Sequence, residues 1–300
     1  MVKGSPDFDT RSVLVVLAAI CWGLAGGLGG WLMADGWDPY VLAFYRGATG
    51  LVCIALWVGL RPVTTDFTNP RLWFWSVVAG LGVAGNFTFY FLSISKGSVA
   101  VAATLMYCAP VFVYILSFIL KLERLTPLKG VAILLVTLGI VLLTRVYNVG
   151  ETSITTMGVV AGLLAGLSYA IFIFGFKYAT PHGSPQSILV MAFGTLCISL
   201  MGLVDFDQAL AALSSSDLPL FMALGLLGAG VSFVMYVVGL DHTAPAVASV
   251  VAMVEPVTAS LFGVFILDER LAGMQVAGMV LILVTVTVLS VASASGDTQS

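Results

Sequence analysis

Two charged side chains stand inside otherwise apolar runs of this 300-residue chain, Arg46 and Glu255. Charge at membrane depth is costly and marks a functional site by default. Glu255 is the twelfth residue of the run 244–267 and is followed by Pro256. Arg46 lies seven residues after Pro39, roughly 10 Å along a helix rising 1.5 Å per residue. A guanidinium can take a carboxylate through two parallel hydrogen bonds, and a buried carboxylate can hold an ammonium group or a proton. Polar-tipped residues at comparable depth join this pair: Trp22, Asn86, Tyr90, Tyr107, Tyr169, Ser232 and Tyr236. Aromatic faces suit an ammonium group, and the set describes a cavity with mixed walls fitted to a zwitterion. Taken singly, each aromatic reads at least as well as packing, and Arg46 and Glu255 could satisfy one another. Pro110 and Pro256 each free the backbone carbonyl one turn earlier, which in lipid needs a partner or a wet cavity. They are the candidate helix bends.

The elements that must hold these groups follow from composition. Hydrophobic residues make up 60% of the chain and charged ones 9%, against roughly a quarter charged in soluble domains, and mean hydropathy is +1.08. Such a chain belongs in lipid. The formal charge of −3 and a pI near 5.2 exclude a basic nucleic-acid footprint. Cys21, Cys53, Cys108 and Cys197 all fall inside apolar runs without metal-ligand spacing, which reads as small buried hydrophobes. Neither a metal nor a cofactor is implied. The polar start MVKGSPDFDTRS leads into a full-length apolar run without a cleavage pattern, so the first helix is expected to be retained.

Apolar runs long enough to cross a bilayer predict ten helices, over 13–34, 39–60, 71–95, 98–120, 126–145, 156–179, 185–204, 218–240, 244–267 and 272–293. Asp38-Pro39, Arg61-Pro62, Thr126-Pro127, Ser184-Pro185 and Ala244-Pro245 punctuate them. Trp31, Trp37, Tyr40, Trp73 and Trp75 read as interfacial belt residues. With the N-terminus in the cytoplasm, Lys3, Arg11, Arg61, Arg71, Lys121, Arg124, Lys129 and Lys177 lie inside and Lys96, Arg145 and Arg270 outside, the bias that orients membrane proteins.

The chain also repeats itself at an offset of 146 residues. Pro39 falls on Pro185, Leu81-Gly82 on Leu227-Gly228, Phe87 on Phe233, Tyr90 on Tyr236, Pro110 on Pro256, and Glu123-Arg124-Leu125 on Glu269-Arg270-Leu271. Five spans per half force the second half to enter the membrane from the opposite side. Inverted repeats of this kind characterise secondary transporters, whose halves exchange conformations around a midplane site. Arg46 and Glu255 break the repeat, since their mates are Ala192 and Ala109.

Other classes fare worse. A membrane enzyme needs nucleophile, metal or acid–base groups gathered at one depth, and the two histidines, His182 and His242, fall in a loop and at a helix end. No P-loop occurs, so an ATP-driven pump is excluded. Gly80-Leu81-Gly82-Val83-Ala84-Gly85 satisfies GxGxxG but follows no strand; like the GxxxG pairs Gly26–Gly30 and Gly162–Gly166, it reads as close helix packing. Asn86-Phe87-Thr88 fits a glycosylation sequon but lies within a span. A channel would need rings of carbonyls or charges, and nothing here resembles one.

These residues resemble the drug/metabolite transporter superfamily, in its EamA-type ten-helix form. The resemblance rests on Cys21-Trp22-Gly23, Pro39 with Arg46, Tyr90, Ala100 and Ala103, Pro110, Gly139, and in the second half Glu255-Pro256-Val257 and Asp268-Glu269-Arg270-Leu271. It departs at Thr285, where a glycine would match Gly139, and at Ala192. It implies export of small metabolites, amino acids first, with the aromatic amino-acid exporter branch the nearest fit. Multidrug efflux and nucleotide-sugar or sugar-phosphate exchange belong to relatives of the same fold.

The expectation is therefore an all-α integral membrane protein, ten transmembrane helices in two inverted five-helix repeats, 1–148 and 149–300, both termini cytoplasmic. It would export small metabolites by alternating access, with no enzymatic activity. Its partners would be the lipid of a plasma (inner) membrane and a small-molecule substrate; no nucleic acid or partner protein is implied, which is compatible with a monomer.

Overall fold

The computed structural model describes residues 10–60, 68–119, 127–144, 155–240 and 254–296. Among them all regular structure is helical: α1 Thr10–Ala34, α2 Pro39–Leu60, α3 Pro70–Ser95, α4 Val99–Met106, α5 Ala109–Ile119, α6 Pro127–Thr144 and α7 Thr156–Ala179, then α8 Pro185–Met201, α9 Phe206–Ser214, α10 Leu218–Gly225, a π turn Leu226–Gly230, α11 Val231–Leu240, α12 Val254–Ile266 and α13 Gly273–Gly296. Helix therefore occupies all or part of each predicted stretch. Among the described residues six helical stretches, counting α4 with α5 and α10 with α11 as one each, are long and apolar enough to cross a membrane, or seven if α8 and α9 are one bent span; Gly130–Leu143, Val254–Ile266 and Gly273–Val288 are shorter apolar helices. The Glu123-Arg124-Leu125 turn, Arg61-Pro62 and the start of the ninth predicted helix, with Pro245, lie outside the described residues.

Turn chemistry sets the starts. Asn69, Ser98, Thr155, Ser184 and Asp205 each accept a first-turn backbone N–H at the head of α3, α4, α7, α8 and α9. Pro70 and Pro185 occupy first-turn positions, where the missing N–H costs nothing. Beside Pro110, a candidate bend, the helix is interrupted. α4 ends at Met106, Cys108 N–H turns back to the Leu105 carbonyl at 3.1 Å, and α5 starts afresh at Ala109. α8 stops short of its predicted end because Gly202 leads into the Asp205 cap and the chain turns by 112° into α9.

Packing follows the repeat. α3 packs on α7 and α8, and its mate in the second half, α10 through α11, packs on α1 and α2. α7 packs on α4 and α5, as α1 packs on α12; α2 with α8 and α6 with α13 are pairings that map onto themselves. The close approaches are made at glycine. A Cβ on Gly82 would lie 2.6 Å from the Phe172 backbone nitrogen, one on Gly162 2.8 Å from Leu105 Cβ, and one on Gly166 2.9 Å from the Met106 carbonyl. Gly139 packs on α13 at Ile282 and at the carbonyl of Gly278, so the glycine α13 offers to α6 is Gly278 rather than a residue at 285.

Candidate functional site

Arg46 and Glu255 are both 4% exposed and both line one cavity of about 410 Å³. That volume falls in the range of roughly 300–1,000 Å³ usual for small-molecule sites. Arg46 comes from α2 and Glu255 from the first turn of α12, so each half contributes one charge. No ion pair closes between them. Glu255 Oε2 instead accepts a 2.7 Å hydrogen bond from the Tyr107 hydroxyl, which the break between α4 and α5 turns toward it. Arg46 donates from Nε to the Gly228 carbonyl in the π turn at 3.0 Å, and its guanidinium carbon lies 3.9 Å above the centre of the Phe87 ring. Nε–H makes the guanidinium's protein hydrogen bond among the described residues, which leaves its other donors to the cavity.

Six of the nine residues singled out from the sequence line this cavity: Trp22, Arg46, Asn86, Tyr169, Tyr236 and Glu255. Trp22 packs tilted on Tyr236 at 5.1 Å and edge-on to Phe233 at 5.3 Å, ring centre to ring centre, and its Nε1 has no protein partner among the described residues. Asn86 spends one amide proton on the Ala165 carbonyl at 3.1 Å. Tyr169 lies 6.2 Å from Tyr107, ring to ring. The other three stand behind the wall. Tyr107 reaches the cavity only through Glu255; Tyr90 and Ser232 are fully packed, with Oη and Oγ unpartnered among the described residues. Tyr90 fills the space that Gly26 leaves on α1. Pro256 is buried in the first turn of α12; the residues that would show a bend there precede the described ones. Pro110 marks the break that presents Tyr107.

The sequence reading missed most of the apolar wall. Phe87 and Phe233 line the cavity one residue beyond Asn86 and Ser232, and their match across the repeat was a usable signal. Phe172, Ile173, Phe176 and Lys177 continue from Tyr169 along one stripe of α7 at helical spacing, with Thr180 just past its end, which the largely apolar composition of that helix hides. At Lys177, Thr180 and Pro185, all exposed, the cavity reaches the surface.

Away from this mouth hydrogen bonds tie the two halves together. Trp37, read from the sequence as a belt residue, donates from Nε1 to Asp217 at 2.8 Å, Asp38 N–H donates to Gln208 at 3.1 Å, and the Tyr45 hydroxyl donates to the Ala209 carbonyl at 2.7 Å. Beside them Glu269 accepts from the backbone N–H groups of Val99 at 2.6 Å and Ala100 at 3.2 Å, a carboxylate at the head of α4. The Asn86-Phe87-Thr88 sequon is buried.

A profile of the EamA-like transporter family matches residues 11–145 and again 156–291. The chain is 31% identical over 199 residues to an uncharacterized transporter of Archaeoglobus fulgidus, covering 66% of this chain and 70% of that one. It is 24% identical over 252 residues to Protein PecM of Dickeya dadantii, covering 81% and 80%. A crystal structure at 18% identity superposes with a TM-score of 0.57 over 93% of this chain and 97% of the other, a likeness of fold.

Proposed function

Since the chain belongs to the EamA-like transporter family, a family of membrane proteins that carry small molecules, we propose that it is a secondary transporter exporting small organic solutes, amino acids first among them. The observation that carries this reading is one cavity holding Arg46 from the first half and Glu255 from the second, with no ion pair between them. Arg46 takes the solute carboxylate, Glu255 with Tyr107 takes its ammonium group, and Trp22, Tyr169 and Tyr236 supply faces for the cation. The wall of Phe87, Phe172, Phe176 and Phe233 accepts an apolar side chain with little discrimination.

The proposed architecture is ten spans in two inverted repeats, 1–148 and 149–300, in a plasma (inner) membrane with both termini cytoplasmic. In that orientation the mouth at Lys177, Thr180 and Pro185 faces the cytoplasm, the side from which an exporter loads. Alternating access then opens the end now held by Trp37–Asp217 and Glu269, while the cytoplasmic mouth closes.

The test is counterflow of a radiolabelled amino-acid panel in proteoliposomes, repeated with Arg46→Gln and Glu255→Gln. Movement of amino acids that both variants slow but do not abolish supports the reading. Because the wall is aromatic and one charge is a carboxylate, an apolar amphiphilic cation is the second occupant the geometry favours. Transport of such a cation that needs Glu255 but not Arg46, with no amino acid moved, selects that reading instead.

A further inference from the structure

The π turn Leu226–Gly230 interrupts an otherwise α-helical segment, with Val231 N–H reaching back five residues to the Leu226 carbonyl. Its counterpart in the first half, 80–84, is unbroken α-helix within α3. The two segments share a glycine and use it differently. Gly82 receives the α7 backbone at Phe172, whereas Gly228 receives Arg46. A Cβ on Gly228 would lie 2.6 Å from Arg46 Nε and 3.0 Å from Ala25 Cβ. The bonded carbonyl and the cleared space thus belong to the same residue, and Phe87 covers one face of the guanidinium. That fixes the fork in one orientation, with its outer edge toward the cavity.

We infer that Gly228 is the positioning residue for Arg46, and that this bond couples an anionic group bound in the cavity to the shape of the π turn. The inference rests on the proposed solute site, with a carboxylate as the group Arg46 receives. The guanidinium has one edge in the cavity and one on the backbone of the opposite half. A carboxylate on the outer edge holds the guanidinium in the orientation from which Nε–H reaches the Gly228 carbonyl, so the two contacts share one ordering cost. The coupling is reciprocal: whatever loosens the turn weakens anion binding by the same factor. A π turn carries one extra residue, and π turns gather at functional sites. Its conversion to α-helix would turn the face of α11 bearing Phe233 and Tyr236 away from the cavity, since each residue advances a helix by about 100°. Arg46 therefore holds the aromatic end of the cavity in register while it holds the solute.

Two measurements test this. In the purified full-length protein, amide hydrogen exchange across 226–236 should rise about tenfold in Arg46→Gln, the loss of one charge-assisted bond, with 80–90 of α3 unchanged. Glu255→Gln should leave 226–236 as in wild type. Unaltered exchange in Arg46→Gln overturns the inference, and this arm needs no solute. In proteoliposomes Gly228→Ala should raise KM for L-phenylalanine about tenfold, leave phenylalanine carboxamide unaffected, and add nothing in an Arg46→Gln background. An equal loss for both probes makes Gly228 a packing residue only and overturns it. If wild type moves neither probe, the amino-acid reading fails while the exchange result still decides the coupling. Should Gly228→Ala not fold, exchange in Arg46→Gln decides alone.

Discussion

The Tyr107 hydroxyl donates to Glu255 Oε2 across 2.7 Å, joining the break between α4 and α5 to the first turn of α12. The two residues are 148 apart, close to the 146-residue repeat, so the bond passes near the axis that relates the halves. Its two ends are chemically unlike because the repeat is broken here: Ala109 stands in the first half where Glu255 stands in the second. This hydrogen bond therefore has no mate across the repeat, where Met253 and Ala109 stand. Tyr107 gives Glu255 a fixed direction without neutralising it, which leaves the second carboxylate oxygen available to a solute.

Tyr107→Phe should therefore impair transport without unfolding the protein. Removing the donor leaves a buried carboxylate one hydrogen bond short, worth about 1.5–3 kcal/mol for a charged partner. KM for the transported solute should rise at least about tenfold, and Glu255→Gln combined with Tyr107→Phe should be no worse than Glu255→Gln alone. Additive losses in this double-mutant cycle would mean that the two residues act independently.

At the break between α4 and α5, α7 comes in close at a glycine. Gly166 faces the Met106 carbonyl, and its missing side chain is what admits that carbonyl. Gly166→Val should lower stability by about 1–3 kcal/mol, the usual cost of overpacking, read as a fall in melting temperature of the purified protein. Val160→Ala, on an exposed position of the same helix, should not change it.

How much of this was legible follows from which interactions leave a local mark. Starts such as Asp38-Pro39 and Ser184-Pro185 are written in adjacent residues, and helix does begin there. Arg46 and Glu255 were found because a lone charge in an apolar run is conspicuous. The role of Tyr107 was not, because whether a proline bends a helix or breaks it depends on what packs alongside, here Gly166. The Phe172–Phe176 stripe was invisible for another reason: in a helix apolar all round, periodicity no longer separates the cavity face from the lipid face. Trp37 reads as an interface residue until Asp217 is seen beside it, 180 positions away.

That Trp37–Asp217 bond yields a prediction about the closed end. With the four native cysteines replaced and a reporter cysteine at Ala43, fully buried behind it, labelling by an impermeant maleimide should be slow. Asp217→Asn keeps the shape but weakens a charge-assisted bond, and should speed labelling about tenfold. Unchanged labelling would mean that the contacts of Gln208 and Ala209 hold this end without Trp37.

Glu269 makes the same end sensitive to pH. Burial raises its carboxyl above the ordinary carboxylate range, opposed by hydrogen bonds from Val99 N–H, Ala100 N–H and Ser98. Once the end opens, the carboxyl is hydrated and its affinity for a proton returns to the ordinary value. The closed form is thus the better proton acceptor, and protonation stabilises it. That stabilisation is complete below the ordinary carboxyl range and fades as pH rises through the raised, closed-state value. Spin labels at Lys96 and Arg270, both exposed at this end, should accordingly report a larger close-distance population as pH falls through the window just above ordinary carboxylates. Glu269→Gln, uncharged at every pH, should abolish the dependence, and the same pH profile in that variant would assign the effect to another group. The sign is informative because a carboxylate at a helix N-terminus is ordinarily stabilised in its charged form; at Glu269 burial outweighs the helix, so acid closes this end rather than releasing it.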